Sequence, residues 1–134
     1  MPFKHTALGL REQIPTAYTA TSKRNYYFKD QISTFVLQQG YVPLNPFQVF
    51  AYFLNDTVDR DLVRQANNTL VAIANEIWVF GDVSDGVLAE IKQARELGKV
   101  VKYFRIIKSQ TIELISNLEE VVMEEDVRMH RDLL

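Results

Sequence analysis

The chain has 134 residues, of which 47% are apolar and 24% charged, and its net charge is −2. These values predict one globular domain spanning residues 1–134, and they argue against DNA or RNA as a partner. Without cysteine and with only two histidines, far apart in sequence, no metal site or cofactor is expected. No apolar run is long enough to cross a membrane, and residues 1–10 lack the apolar segment of a signal peptide, so we expect a cytoplasmic protein.

Apolar runs alternate with stretches of helical spacing along the whole chain. After an irregular lead-in, the predicted strands are residues 17–21, 41–44, 77–80 and 100–106. Three helices are predicted between these strands. The first is capped by Thr21 or Ser22 and ends at Gly40, the second covers residues 58–74, and the third covers residues 87–97. Beyond the fourth strand the pattern predicts a helix over 111–118 and a last strand over 121–123. The aromatic segment 48–54 is interpreted as a short helix or a lid.

This alternation predicts a small doubly wound α/β domain, flavodoxin- or Rossmann-like, with a mainly parallel sheet of four to five strands and helices on both faces. Open sheets of this kind bind ligands at the carboxyl ends of their strands. The residues expected to bind a ligand at that edge are Tyr18, Ser22, Arg24, Asn45, Ser84, Asp85 and Gly86. Arg24 is interpreted either as a phosphate contact at a helix N-terminus or as a solvated surface cation. No glycine-rich dinucleotide fingerprint or P-loop is present, which argues against a dehydrogenase, a kinase or a GTPase.

Glu90 places a charge inside the apolar arc of the helix 87–97, between Leu97 and Ala94 on the helical wheel. It is interpreted either as a functional carboxylate near a helix N-terminus, which would favour its ionised form, or as an edge residue that reaches water or a basic partner. Asp59 is interpreted either as a favourable charge at a helix N-terminus or as a second carboxylate facing Glu90. Two carboxylates, one nucleophile and one proton donor, are what glycosyl transfer through a covalent intermediate needs.

The run from Asn75 to Gly81, followed by Ser84-Asp-Gly-Val-Leu-Ala-Glu90, resembles the nucleoside 2-deoxyribosyltransferase-like superfamily, and more narrowly a group of small bacterial and phage proteins allied to it. In that family the matched glutamate attacks the anomeric carbon of a nucleoside, so the resemblance implies a nucleophilic Glu90. The family's second catalytic carboxylate falls where this chain has Asn67 and Asn68, so Asp59 or solvent would have to donate the proton. The resemblance also implies a homo-oligomer.

Two functions from different classes follow. The first is an enzyme, an N-glycoside hydrolase or a deoxyribosyltransferase, that acts on the N-glycosidic bond of a nucleoside or nucleotide through Glu90. The alternative is a non-catalytic nucleotide-binding module, a sensor or a decoy. A third interpretation is a structural protein whose strand-end edge is a protein interface. The first two take a small-molecule nucleoside or nucleotide as partner and need no membrane.

Overall fold

The computed structural model describes residues 2–50, 57–108 and 111–134. Its strands are β1 (Thr16–Thr21), β2 (Val42–Leu44), β3 (Glu76–Phe80), β4 (Val100–Ile107) and β5 (Thr111–Ile115). The α-helices in the described ranges are α1 (Lys29–Gln38), α2 (Pro46–Val49), α3 (Arg60–Ile73) and α4 (Asp85–Glu96). Short 3-10 segments cover Thr6–Gly9, Lys23–Phe28, Leu118–Glu120 and Glu125–Leu133.

The strands form one five-stranded sheet in the order β2-β1-β3-β4-β5. β1 pairs in parallel with both β2 and β3, and β3 pairs in parallel with β4, whereas β5 runs antiparallel to β4. The predicted mainly parallel sheet is therefore confirmed. The chain moves from β1 outward to β2 and then returns past β1 to β3, so the direction of winding reverses between β1 and β3. Open sheets bind ligands outside the carboxyl ends of the strands at such a switch point.

Helices cover both faces of the sheet, as the sequence predicts. On one face, Tyr18 and Ile77 pack in a core cluster with residues of α3, α4 and the C-terminal segment. On the other face, Ala17 and Trp78 pack against residues of α1. Strand β3 is buried by both layers, which explains its continuous apolar run from Ile77 to Phe80.

Helix α4 begins with a side-chain cap, since the Ser84 hydroxyl accepts a hydrogen bond from the Val87 backbone N–H over 3.3 Å. Its predicted apolar face is buried for most of its length, but Leu97 is 52% exposed because it lies one residue past the end of the helix. Helix α3 is buried less well than α4. Leu62 and Ile73 are exposed, and Val71 is the residue of α3 that is fully buried.

The predictions beyond β4 are wrong in two places. Residues 111–115 form a strand where a helix was predicted, with Ile107 paired to Thr111 and Tyr103 to Ile115. Local helical spacing yields here to pairing with residues 103–107 of β4, and Lys108 adopts a left-handed conformation (φ 50°) directly after that strand. Instead of a strand over 121–123, Met123 makes an isolated parallel bridge with Val83. The predicted segment 48–54 is helical up to Val49, and residues 51–56 lie outside the described ranges.

Candidate functional site

Three side chains from three different elements meet on the face of the sheet that carries α3 and α4. The Tyr18 hydroxyl of β1 donates a hydrogen bond to Asn67 Oδ1 of α3 over 2.9 Å. Asn67 Nδ2 in turn donates to Glu90 Oε2 of α4 over 3.4 Å. We call Tyr18, Asn67 and Glu90 the Glu90 cluster. A tyrosine, an amide and a carboxylate in one hydrogen-bonded chain form a site that holds the carboxylate in a fixed position.

The packing of β1, α3 and α4 explains why these residues meet. Tyr18 is fully buried and points toward the helices, whereas Asn67 and Glu90 are half-buried and lie on the facing sides of α3 and α4. A second contact holds the two helices together nearby, because Gln93 Nε2 donates to the Asn68 carbonyl oxygen over 3.2 Å. The Glu90 carboxylate is therefore placed by tertiary packing rather than by its own loop.

Burial sets the electrostatics of the cluster. Desolvation raises the pKa of the Glu90 carboxyl to about 7, and the hydrogen bonds from Tyr18 and Asn67 oppose that rise. The pKa of the Tyr18 hydroxyl is also raised, first by burial and then by the negative charge of Glu90. Desolvation is the largest influence on the pKa of Glu90, and the prediction that the helix N-terminus favours its ionised form stays a prediction. Near neutral pH both protonation states of Glu90 are populated.

Most of the other predicted ligand-binding residues serve first as local caps. Ser22 accepts a hydrogen bond from the Arg24 backbone N–H over 3.4 Å. Asn45 is buried at the start of α2, where its oxygen accepts from the Phe47 N–H over 3.1 Å and its amide donates to Ser33 Oγ and to the Lys29 carbonyl. These contacts stabilise the chain at the carboxyl edge, and a role in ligand binding remains a prediction for both residues.

The loop before α4 is similar. Ser84 caps the helix, and Asp85 Oδ1 accepts a hydrogen bond from the Gly86 backbone N–H over 2.7 Å. Asp85 and Gly86 are both exposed, and a side chain built on Gly86 would meet nothing within 4 Å. The loop is therefore open to a ligand, although the Val87 and Gly86 amides already have acceptors within the loop.

Asp59 occupies the N-cap position of α3, where its Oδ1 accepts a hydrogen bond from the Asp61 N–H over 2.8 Å, and it is exposed. Asn67 lies eight residues further along the helix, a rise of about 12 Å. The structure thus places Asp59 as a helix cap and brings Asn67, not Asp59, to Glu90. The sequence contained a signal for this contact, because Asn67 follows Val63 by four residues and precedes Val71 by four, on the buried stripe of the helix.

Arg24 and Ser22 lie in a separate cavity of about 320 Å³ outside the carboxyl ends of β1, β3 and β4. We call it the switch-point crevice; its lining includes Ser22, Arg24, Asn25, Gly81, Lys108 and Glu124. The residues of the Glu90 cluster do not line it. A larger groove of about 500 Å³ lies between α1 and β5, and none of the predicted site residues lines that groove. The expected single site along the edge is therefore divided between the crevice and the Glu90 cluster.

The described part of the chain contains neither a metal-binding cluster of side chains nor a membrane-spanning helix. In the ranges 2–50, 57–108 and 111–134, no group of three or more histidine, aspartate or glutamate side chains is arranged to hold a metal ion. Within the same part of the chain, no helix combines the length and the apolar character needed to cross a membrane.

The fold and the Glu90 cluster define an α/β protein with a half-buried carboxylate held between two helices. A family described as a domain of unknown function, DUF7768, matches residues 13–104, and the chain belongs to this family. A sequence comparison with curated proteins gives no match. Among solved structures, a 2-desoxiribosyltransferase from Leishmania mexicana superposes with a TM-score of 0.50 at 17% identity, covering 89% of this chain and 97% of that one. This likeness shows a common fold, in agreement with the resemblance read from the sequence.

Proposed function

We propose that the chain binds a nucleoside or nucleotide with its sugar at the Glu90 cluster and cleaves or exchanges the N-glycosidic bond with Glu90 as the nucleophile. The observation that carries the proposal is the hydrogen-bonded chain from Tyr18 through Asn67 to Glu90. This hydrogen-bonded chain holds a carboxylate at the position that matches the nucleophile of the family that the sequence resembles. The fold shared with a 2-desoxiribosyltransferase supports the same assignment.

The chemistry follows from the groups present. An ionised Glu90 oxygen attacks the anomeric carbon, and as this C–O bond forms the bond to the base nitrogen breaks, leaving its electron pair on that nitrogen. The leaving base takes its proton from solvent, because the Asn67 amide does not act as an acid and Asp59 is engaged as a helix cap. Water then displaces Glu90 in a hydrolase, and a second base does so in a transferase. Tyr18 and Asn67 orient the carboxylate and favour its ionised form.

The test is base release from a panel of nucleosides and nucleoside monophosphates, followed by chromatography. Glu90→Gln keeps nearly the same shape and removes the charge, so it should abolish base release while calorimetry still detects binding. Glu96→Gln is the matched control, since Glu96 lies on the exposed side of the same helix and should retain full activity. Equal rates of base release for wild type and Glu90→Gln would show that Glu90 is not the nucleophile.

A non-catalytic nucleotide-binding module is the second candidate, and Asn67 is the observation that favours it. An amide stands where the family's second carboxylate is expected, and burial leaves Glu90 only partly ionised near neutral pH. Tight binding of a nucleotide by the wild type with no base release over many hours would support this candidate and contradict the enzyme.

We also propose that the protein is a homo-oligomer, as the resemblance implies. The supporting observation is the apolar side of α3, where Leu62 is 57% and Ile73 62% exposed. Light scattering on the purified protein tests the proposal directly, and a monomer at all concentrations would contradict it.

A further inference from the structure

The two edges of the sheet differ in how open they are to a further strand. β2 has three residues with Pro43 at its centre, and a short edge strand that contains proline pairs poorly with another chain. β5 has five residues without proline or lysine, and in the described part of the chain no strand pairs with its outer side. Its residues have high strand propensity, and Leu114 is 54% exposed. Such an open edge favours the addition of an extended segment.

The segment before β1 has the complementary property. Residues 2–14, which we call the leading segment, are exposed throughout. Their large apolar side chains are 44% to 81% exposed: Phe3, Leu8, Leu10 and Ile14. Within the described ranges, the backbone of residues 11–14 makes no hydrogen bond. A stretch with unpaired backbone groups and exposed apolar side chains has what an open strand edge can pair with.

Charge favours this pairing over the pairing of β5 with a second β5. The leading segment contains two cations, Lys4 and Arg11, and one acid, Glu12. Residues 111–120, which comprise β5 and the chain directly after it, contain three acids and no cation. Two copies of β5 side by side would bring these acids together, whereas the leading segment brings a net positive charge to a net negative one.

The two faces of β5 differ in polarity. Ile112 and Leu114 lie on the α1 side of the sheet, because they pair with Ile106 and Phe104 of β4, which pack there. Glu113 points to the opposite side, since side chains alternate along a strand. The groove of about 500 Å³ between α1 and β5 leaves room beside Ile112 on the apolar side.

The alternation of side chains in the leading segment matches both faces at once. A strand over residues 10–14 places Leu10 and Ile14 on one face and Arg11 on the other. With the two apolar side chains on the α1 side of β5, Arg11 falls on the side of Glu113. Glu12 shares the face of Leu10 and Ile14. The groove there is lined by polar side chains as well as apolar ones, so this carboxylate keeps contact with polar groups and water.

We propose that the leading segment of one copy of this chain adds as a further strand to the β5 edge of a second copy. Reciprocal exchange between two copies occupies both segments and both edges. The contact uses no residue of α3 and none of the Glu90 cluster. The proposal is therefore independent of catalysis at Glu90 and of any association through the exposed side of α3.

Single-cysteine variants test the contact directly, because the chain has no cysteine. Arg11→Cys or Gln13→Cys, mixed with isotopically labelled Glu113→Cys and oxidised, should form a disulfide between copies, since side chains on one face of neighbouring strands come within bonding distance. Mass spectrometry identifies this mixed dimer by its label. Glu12→Cys is the matched control, because it changes an adjacent exposed residue that points to the opposite face, and it should not crosslink with Glu113→Cys.

Charge reversal tests the same contact without a covalent bond. In the Ile73→Asp background, which weakens association through α3, Arg11→Glu and Glu113→Arg should each weaken association about fivefold in sedimentation equilibrium, because an opposite-charge cross-strand pair becomes a like-charge pair. The chain that carries both reversals should regain the association. Glu125→Arg changes an exposed acid outside the contact and should associate as its parent does. Circular dichroism checks that each variant is folded.

Four results would overturn the proposal. The first is no mixed disulfide from Arg11→Cys and Gln13→Cys, or equal crosslinking by Glu12→Cys. The second is a disulfide within one chain that carries both Arg11→Cys and Glu113→Cys, which would place the segment on its own β5. The third is a Glu113→Cys homodimer that forms as readily as the mixed dimer, which would show that β5 pairs with β5. The fourth is association that the combined charge reversal does not restore.

Discussion

The raised pKa of Glu90 predicts how Glu90→Gln changes stability with pH. The pKa rises from 4.5 to about 7 on folding, chiefly through desolvation. A carboxyl with a raised folded-state pKa contributes stability that is complete below the unfolded pKa and is lost as pH rises toward the folded pKa. Wild type should therefore lose stability between about pH 4.5 and pH 7 from this group. Glutamine does not titrate, so the variant should lack this loss.

The size of the effect follows from the shift. Each pKa unit corresponds to about 1.4 kcal/mol, so a shift from 4.5 to about 7 gives about 3 kcal/mol as an order of magnitude. The free energy of unfolding of Glu90→Gln minus that of wild type should rise by about this amount between pH 5 and pH 8. The change with pH carries the prediction, because the new amide also alters the hydrogen bond to Asn67 by a pH-independent amount.

Urea unfolding followed by circular dichroism at several pH values measures this difference. Glu96→Gln is the control, because Glu96 is exposed and pairs with Lys92 at the surface, where an ion pair is worth little. Its difference from wild type should stay nearly constant over the same pH range. A flat or falling difference for Glu90→Gln would show that burial does not hold the Glu90 carboxyl in its neutral form.

Four other substitutions test the Glu90 cluster, the turn after β3 and the exposed side of α3. Tyr18→Phe removes the donor to Asn67 and the hydroxyl that favours the ionised form of Glu90, so it should raise the apparent pKa of Glu90 and lower stability by about 1–3 kcal/mol, measured by the same pH series. Asn67→Asp places a second carboxylate beside Glu90 and should speed base release about 100-fold if a missing acid limits the rate. The control is Asn68→Asp at the neighbouring exposed position, which should not speed base release, and equal rates for the two variants would contradict the prediction. Gly81→Ala should lower the free energy of unfolding by about 1–3 kcal/mol, since its backbone is left-handed and Asn25 occupies the space, and an unchanged Tm would contradict the described turn. Ile73→Asp should shift the protein toward monomer in light scattering without unfolding it, and an unchanged mass would show that this side of α3 is not the interface.

The order of the elements could be predicted from local patterns alone. The apolar run at Ile77–Phe80 predicts a strand buried on both faces, and the alternation of such runs with helical spacing predicts a parallel sheet with crossover helices. Capping residues such as Ser84 mark where helices begin. These signals hold because backbone hydrogen bonding and the burial of one side of a segment depend mainly on residues close in sequence. Segment 111–115 lacked such a signal, since its pairing partner on β4 decides its conformation.

The composition of the site was decided only by tertiary structure. Glu90 stood out in the sequence as a charge on an apolar face, but the residues that hold it come from β1 and α3, 72 and 23 positions away along the chain. The sequence alone does not show whether Asp59 or Asn67 lies closer to Glu90. The packing of α3 against α4 brings the Asn67 amide into contact with Glu90 and leaves Asp59 at the N-terminal end of α3. The pKa of Glu90 depends on the same packing, because burial is the largest cause of its rise and the opposing hydrogen bonds come from residues of β1 and α3.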